Sequence, residues 1–317
     1  MAAERPSIIL DCDPGHDDVV AIIAAAAHTE LLGITTVAGN APLDRTTHNA
    51  CIFRDWLALP TTVHAGADRP LVTAPKFAAF VHGESGLDGA DLPAPVRGPD
   101  STDAVEFIVH TARAHPGLTL VPIGPLTNIA LALRAAPDLA GNVAGISLMG
   151  GGSYGNRTPA AEFNIWADPE AAAIVFAAGI PLTMAGLDVT HQFLLTTERI
   201  GQVNELPGHL ASVLADLFGF FNSNYIARHE GMPGAALHDP LAVLAVTHPE
   251  LFERTRRHVV VETRGEHTAG MTVIDRRLVH DRDAENCDVL ESVDADAAWA
   301  LVLDAIARFS AATATTA

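Results

Sequence analysis

The segment Asp11-Cys12-Asp13-Pro14-Gly15-His16-Asp17-Asp18 holds four carboxylates in eight residues. It follows the apolar run Ile8–Leu10 directly and precedes the apolar run Val19–Ala27 directly. Pro14 and Gly15 impose a sharp turn, so the order is strand, acidic turn, helix. In open α/β sheets ligands bind beyond the carboxyl ends of the strands, which is where such a turn sits. A helix N-terminus stabilises an anion by only ~0.3–1 kcal/mol, too little to keep three clustered carboxylates ionised. A hard cation does so, and oxygen-only ligands select Mg²⁺ or Ca²⁺ over zinc. The plain structural alternative is that Asp17 and Asp18 cap the helix while Asp11 ends the strand; four acids around one Pro-Gly turn favour the cation.

The rest of the chain repeats the pattern of short β-branched runs and alanine-rich helical stretches, which specifies α/β architecture with a mainly parallel central sheet flanked by helices. Strands are expected at Ser7–Leu10, Ile34–Val37, Leu118–Pro122, Val143–Met149 and Leu182–Leu187. Helices are expected at Val19–His28, Thr46–Leu59, Asp103–Ala114, Asn128–Ala135, Pro169–Ala178, Ala211–Arg228 and His238–Val246. Val259–Thr263 and Met271–Ile274 read as a hairpin, and Ala295–Phe309 as a closing helix. Two segments break the alternation: the Pro/Gly-rich stretch 66–100, of a length that is usually functional, and the helical insertion 185–237. The expectation is a single domain over residues 1–310, with a frayed tail at 311–317.

Thirty-eight acidic against 19 basic residues give a formal net charge of −19, and no basic stripe exists to neutralise a nucleic acid polymer. Three cysteines, far apart and without CxxC spacing, speak against a secreted disulfide framework. Neither a signal region nor an apolar run of the ~20 residues needed to span a membrane is present. The expected setting is therefore the cytoplasm, without a membrane partner.

An Asp-x-Asp after a strand also suits a phosphatase of the haloacid-dehalogenase type, with Asp11 as nucleophile, Asp13 as acid/base and Mg²⁺. That chemistry needs a lysine, and Lys76 is the only one. Gly150-Gly151-Gly152-Ser153-Tyr154-Gly155 matches G-x-G-x-x-G, but Asn156-Arg157-Thr158-Pro159 follows where the dinucleotide fingerprint requires a helix. Asp168-Pro169-Glu170 reads as a helix cap with proline at the first helical position.

Taken with the other strand ends, Asp11–Asp18 resembles the signature of the nucleoside hydrolases, in particular the inosine–uridine-preferring branch. The resemblance continues through Ile34-Thr35-Thr36-Val37-Ala38-Gly39-Asn40, His82-Gly83-Glu84-Ser85-Gly86 and Gly124-Pro125-Leu126-Thr127-Asn128. It extends through Met149-Gly150-Gly151-Gly152, Ala161-Glu162-Phe163-Asn164-Ile165, Gly186–His191 and His238-Asp239-Pro240. It implies Ca²⁺-dependent hydrolysis of the N-glycosidic bond of ribonucleosides, purine, pyrimidine or both, with pyrimidine specificity as an alternative. It further implies one Ca²⁺ per subunit and a homo-oligomer, dimer or tetramer. Carried over by position, Asp13, Asp18, Asp239 and the main-chain carbonyl of Ile123 would hold the ion, with Asp13 also acting as general base. Asp17, Asn40, Asn156, Glu162 and Asn164 would grip the ribose, with Met149 beneath it. His238 and His82 are the two candidates for protonating the leaving base. Phe163, Tyr225, Ile226 and His229 are candidates for the base pocket, and His191 is expected to be structural.

Overall fold

The computed structural model describes residues 5–314. The chain begins β1 (Ser7–Cys12), α1 (His16–His28), β2 (Glu30–Thr36), α2 (Leu43–Trp56), β3 (Thr62–Ala65) and the single turn α3 (Ala79–His82). There follow α4 (Ala104–Ala114), β4 (Thr119–Pro122), α5 (Thr127–Ala135), β5 (Gly145–Met149), α6 (Phe163–Ala167), α7 (Pro169–Phe176) and β6 (Leu182–Ala185). The insertion is α8 (Leu187–Thr190), β7 (Leu194–Thr196), α9 (Thr197–Asn204), α10 (His209–Ile226) and β8 (Gly234–Ala236). The chain then runs through α11 (Pro240–Thr247), β9 (Phe252–Arg257), β10 (Val259–Val261), β11 (Thr272–Ile274), β12 (Cys287–Val293) and α12 (Ala295–Ala314).

Eight strands form one sheet in the order β3-β2-β1-β4-β5-β6-β12-β9, parallel throughout except for the antiparallel edge pair β12–β9. The order identifies the functional edge. From β1 the chain steps outward to β2 and β3, then returns to lay β4 on the other side of β1. The crevice at the β1 and β4 carboxyl ends is therefore a topological switch point, the preferred ligand position in such sheets. β1 and β5 are buried almost end to end, as strands covered by helices on both faces must be. One apolar cluster includes residues of α1, α10, α11 and α12; the other includes residues of α4, α5 and α7. α1 is apolar and buried nearly all round, so it acts as a core helix rather than an amphipathic surface helix.

The expected hairpin is present, with Val259 opposite Ile274 and Val261 opposite Thr272. Five strands, β3, β7, β8, β9 and β12, were not expected; β7 and β8 pair antiparallel inside the segment expected to be helical. β9 reads Phe-Glu-Arg-Thr-Arg-Arg and is largely exposed; charge on an edge strand blocks edge-to-edge association but hides the strand from a hydrophobicity scan. The helix expected from Val19 starts at His16, which places Asp17 and Asp18 in its first turn. The closing helix continues past Phe309 to Ala314; the remainder of the expected frayed tail, 315–317, lies outside the described residues. Among the described residues no helix is long and apolar enough to cross a membrane.

Candidate active site

The acids after β1 converge because the first turn of α1 folds back on the strand end. Asp18 accepts hydrogen bonds from the backbone N–H of Asp13 at 3.0 Å and of Gly15 at 2.9 Å. Asn40, on the loop after β2, ties the cluster together. Its backbone N–H donates to Asp13 Oδ2 at 2.6 Å, and its side-chain amide to Asp18 Oδ2 at 3.0 Å and Asp13 O at 3.1 Å. One carboxylate oxygen each from Asp17, Asp18 and Asp239 lie within 4.8 Å of one another. Asp13 stands beside this trio. Its Oδ1 is buried with no hydrogen-bond partner.

All four carboxyls are almost fully buried. Burial pushes Asp13 and Asp239 well above the ordinary aspartate range, and neighbouring carboxylates push them further. Burial and Asp18 bring Asp17 up to about 8, and burial also raises Asp18. Among the described residues no arginine or lysine is ion-paired to any of the four. An orphaned buried oxygen beside three converging carboxylates is a donor set that suits a hard divalent cation.

Glycine is required on either side of Asp13. A Cβ at Gly39 would overlap Asp13 Oδ2, and one at Gly124 would overlap Oδ1. Gly39→Ala is therefore expected to lower kcat/KM on the order of 10²-fold, the cost of displacing a reacting group by about 1 Å. Gly201→Ala, in α9 with nothing within 4 Å of its would-be Cβ, is the control and is expected to stabilise the fold by ~0.5–1 kcal/mol. Steady-state kinetics and thermal melts of the two variants check both.

Above the acids opens a cleft. Of the residues expected to touch substrate, all but Ile226 line it: Asp17, Asn40, His82, Met149, Asn156, Glu162, Phe163, Asn164, Tyr225 and His229, together with His238, Asp239 and Ile123. Glu162 caps α6, accepting from Asn164 N at 2.9 Å and Ile165 N at 3.2 Å, and from Gly151 N at 3.0 Å. Burial lifts it to about 6 while these N–H groups oppose the rise. The Asn164 amide donates to Ile123 O at 2.8 Å and Met149 O at 3.3 Å, and Asn156 accepts from Phe163 N at 3.0 Å. The glycine-rich loop thus positions Glu162, and helix resumes only at Phe163.

Histidines and aromatic rings line much of the opposite wall. His82 stacks on Phe221, and its Nδ1 lies 3.1 Å from His16 Nδ1. His238 Nδ1 meets Thr190 Oγ1 at 2.8 Å and its Nε2 meets the Tyr225 hydroxyl at 3.4 Å. Burial lowers both His82 and His238 well below the usual histidine range, and neighbouring histidines add to it, so both rings are neutral at pH 7. His229 stacks on Tyr225 with centroids 4.0 Å apart. Ile226 does not line the cleft and is partly exposed; the turn of α10 that aims Tyr225 inward carries its neighbour outward.

Asp11 is enclosed in the sheet, where Oδ1 accepts from Thr35 at 2.6 Å and Asn128 at 2.8 Å. Lys76 donates to Trp166 O at 2.7 Å and lies 3.9 Å over the Trp166 ring. Neither group lines the cleft, so the phosphatase reading loses both its nucleophile and its cation.

With this geometry in view, the relatives are informative. The family model described as inosine-uridine preferring nucleoside hydrolase matches residues 8–300. The chain belongs to that family. It is 45% identical to a pyrimidine-specific ribonucleoside hydrolase RihA of Shewanella sp. (strain MR-7), covering 96% of this chain and 97% of that one. It is 44% identical to the protein of the same name from Photobacterium profundum, covering 96% and 99%. Among solved structures, a purine-preferring ribonucleoside hydrolase from Gardnerella vaginalis superposes with a TM-score of 0.90 at 33% identity, covering 96% and 99%. The protein is a nucleoside hydrolase, and the fold matches its family in the parallel sheet and flanking helices.

The sequence pattern did not single out Phe80, Val81, Arg157 or Phe221 as part of this cleft. Phe221 was within reach: it lies one helical turn before Tyr225, the i, i+4 spacing that shares a face. Arg157 comes from a loop and Phe80 from the single turn α3, too short to carry a periodic signal.

Proposed function

We propose that this hydrolase cleaves the N-glycosidic bond of ribonucleosides with the help of one Ca²⁺ and prefers pyrimidine nucleosides. The observation that carries the reading is the buried acid cluster at the floor of an apolar and aromatic cleft. The curated relatives described above, named as pyrimidine-specific, support the base preference.

Asp13, Asp17, Asp18, Asp239 and the Ile123 carbonyl are the groups that would hold the ion. When bound, it supplies positive charge that keeps these carboxylates ionised and acidifies a neighbouring water. Asp13, with one oxygen fixed by Asn40 and the other unbonded, takes the water proton as general base. Departure of the base leaves an oxocarbenium-like ribose. Asp17, Asn156, Glu162 and Asn164 bind and orient the sugar hydroxyls, which accelerates the reaction where those contacts tighten at the transition state. Met149 packs beneath the ring. Tyr225 is the group from which the leaving base receives its proton. His238, neutral, holds the Tyr225 hydroxyl, His82, also neutral, packs on the same wall, and Phe163 and Phe221 keep that end dry. A homo-oligomer of single-domain subunits working in the cytoplasm completes the proposal.

Reducing-sugar release should be measured on uridine, cytidine and inosine, with calcium and after chelation. The expected result is calcium-dependent ribose release, with a higher kcat/KM on uridine and cytidine. Equal activity on inosine would remove the pyrimidine preference, and full activity in chelator would remove the metal.

A further inference from the structure

His191 lies outside the cleft, yet a hydrogen-bonded chain joins it to the cleft wall. Tyr154 Oη meets the Leu187 carbonyl at 3.2 Å and His191 Nδ1 at 3.0 Å. His191 Nε2 meets Tyr225 Oη at 3.3 Å, which meets His238 Nε2 at 3.4 Å, and His238 Nδ1 meets Thr190 Oγ1 at 2.8 Å. The carbonyl at one end sets every direction, because a carbonyl only accepts. Tyr154 therefore donates to Leu187 O and accepts from His191 Nδ1–H. A neutral His191 then has its lone pair on Nε2 and accepts from the Tyr225 hydroxyl. Tyr225 in turn accepts from His238 Nε2–H, and Thr190 donates to His238 Nδ1.

In this state the Tyr225 proton points away from the substrate. A second proton on His191 reverses that link: Nε2–H becomes a donor to Tyr225 Oη, and the Tyr225 hydroxyl is free to turn its proton into the cleft it lines.

We propose that His191 is a positioning and proton-relay residue for leaving-group departure, acting through Tyr225. The proposal rests on the nucleoside hydrolase reading of this cleft. As the C1′–N bond breaks, its electron pair moves onto the base, and the Tyr225 hydroxyl proton passes to the base. The His191 Nε2 proton passes to Tyr225 Oη, so Tyr225 is unchanged and His191 ends neutral. A proton from water then restores the imidazolium, since the His191 ring is only partly buried and Tyr154 beside it is exposed. The groups facing His191 are Tyr154, Tyr225, His238, His229 and Asp188. Burial disfavours its charged form, His229 adds to that, and Asp188 opposes it.

The test compares uridine with p-nitrophenyl β-D-ribofuranoside, whose leaving group departs without a proton. His191→Phe keeps a ring in place but carries no nitrogen. Its kcat on uridine should fall on the order of 10-fold or more, inside the ~10²–10⁴-fold range of acid–base catalysis. KM should stay within about twofold, and the loss on the nitrophenyl riboside should be at least about tenfold smaller than on uridine. Tyr154→Phe, which removes only a hydroxyl at the outer end, should give a smaller loss with the same selectivity. Equal losses on the two substrates in either variant, or no loss in both, would overturn the relay. Failure of the wild-type protein to release ribose from either substrate would instead overturn the hydrolase reading on which the relay rests.

Discussion

Asp13→Ala is expected to lower kcat on uridine by on the order of 10³-fold or more while leaving the fold intact. A general base alone contributes ~10²–10⁴-fold, and this residue also borders the proposed ion. The structure gives the variant a second, less obvious signature. Asp13 is a buried carboxyl held against Asp18 and Asp17, and both repel its charge. Removing it relieves that repulsion, so without metal the variant should melt no lower than the wild type. Calcium should stabilise the variant less than it stabilises the wild type. Kinetics and melts with and without calcium therefore separate catalytic loss from unfolding. Near-normal kcat would exclude Asp13 as the base, and a collapsed melting transition would mean that its hydrogen bonds to Asn40 are structural.

How much of this was legible beforehand depended on whether a residue's role is local. The β1 turn was readable because an apolar strand, four acids and an apolar helix are contiguous, and chain order alone brings Asp13 to the sheet edge. Strands with β-branched, buried sequences such as β1, β2 and β5 were legible for the same reason. β9 and β12 were not, because Arg254, Arg256, Arg257, Asp288 and Glu291 interrupt their apolar pattern while pairing across the edge of the sheet. The tight carboxylate trio also eluded spacing. Whether Asp17 or Asp13 lies closest to Asp18 and Asp239 depends on the residue at which α1 begins, and helix ends are the least certain feature of a sequence. The link from His191 through Tyr225 to His238 joins the residue after α8, the last turn of α10 and the segment just before α11. No periodicity connects them; only the packing of the insertion over the sheet edge does.

The metal should be visible in stability as well as in turnover, with a pH dependence whose sign the structure fixes. Aspartates in the unfolded chain titrate near ~3.9. In the folded protein burial and mutual repulsion bring Asp17 to about 8 and carry Asp13 and Asp239 well upward. Burial, opposed by hydrogen bonds from Asn128 and Thr35, brings Asp11 to about 7. Between the unfolded and folded values the native state holds more protons than the unfolded state, so stability falls as pH rises. The metal-free protein should therefore melt at progressively lower temperature from about pH 5 to about pH 8. A cation that binds the ionised cluster cancels most of that penalty by replacing the protons. At a calcium concentration of about 100 times Kd the gain is ~2.7 kcal/mol, or about 4 °C in Tm for a domain of this size. The gain should be larger at about pH 8 than at about pH 5, because at low pH the ion must displace protons. Some of the slope should survive saturation with calcium, since Asp11 faces Thr35 and Asn128 rather than the cluster. Thermal melts in chelator and in calcium across this range test the prediction, with proton release measured by calorimetry in buffers of different ionisation enthalpy. A calcium shift that is absent, or larger at about pH 5 than at about pH 8, would show that the four carboxyls do not hold the ion.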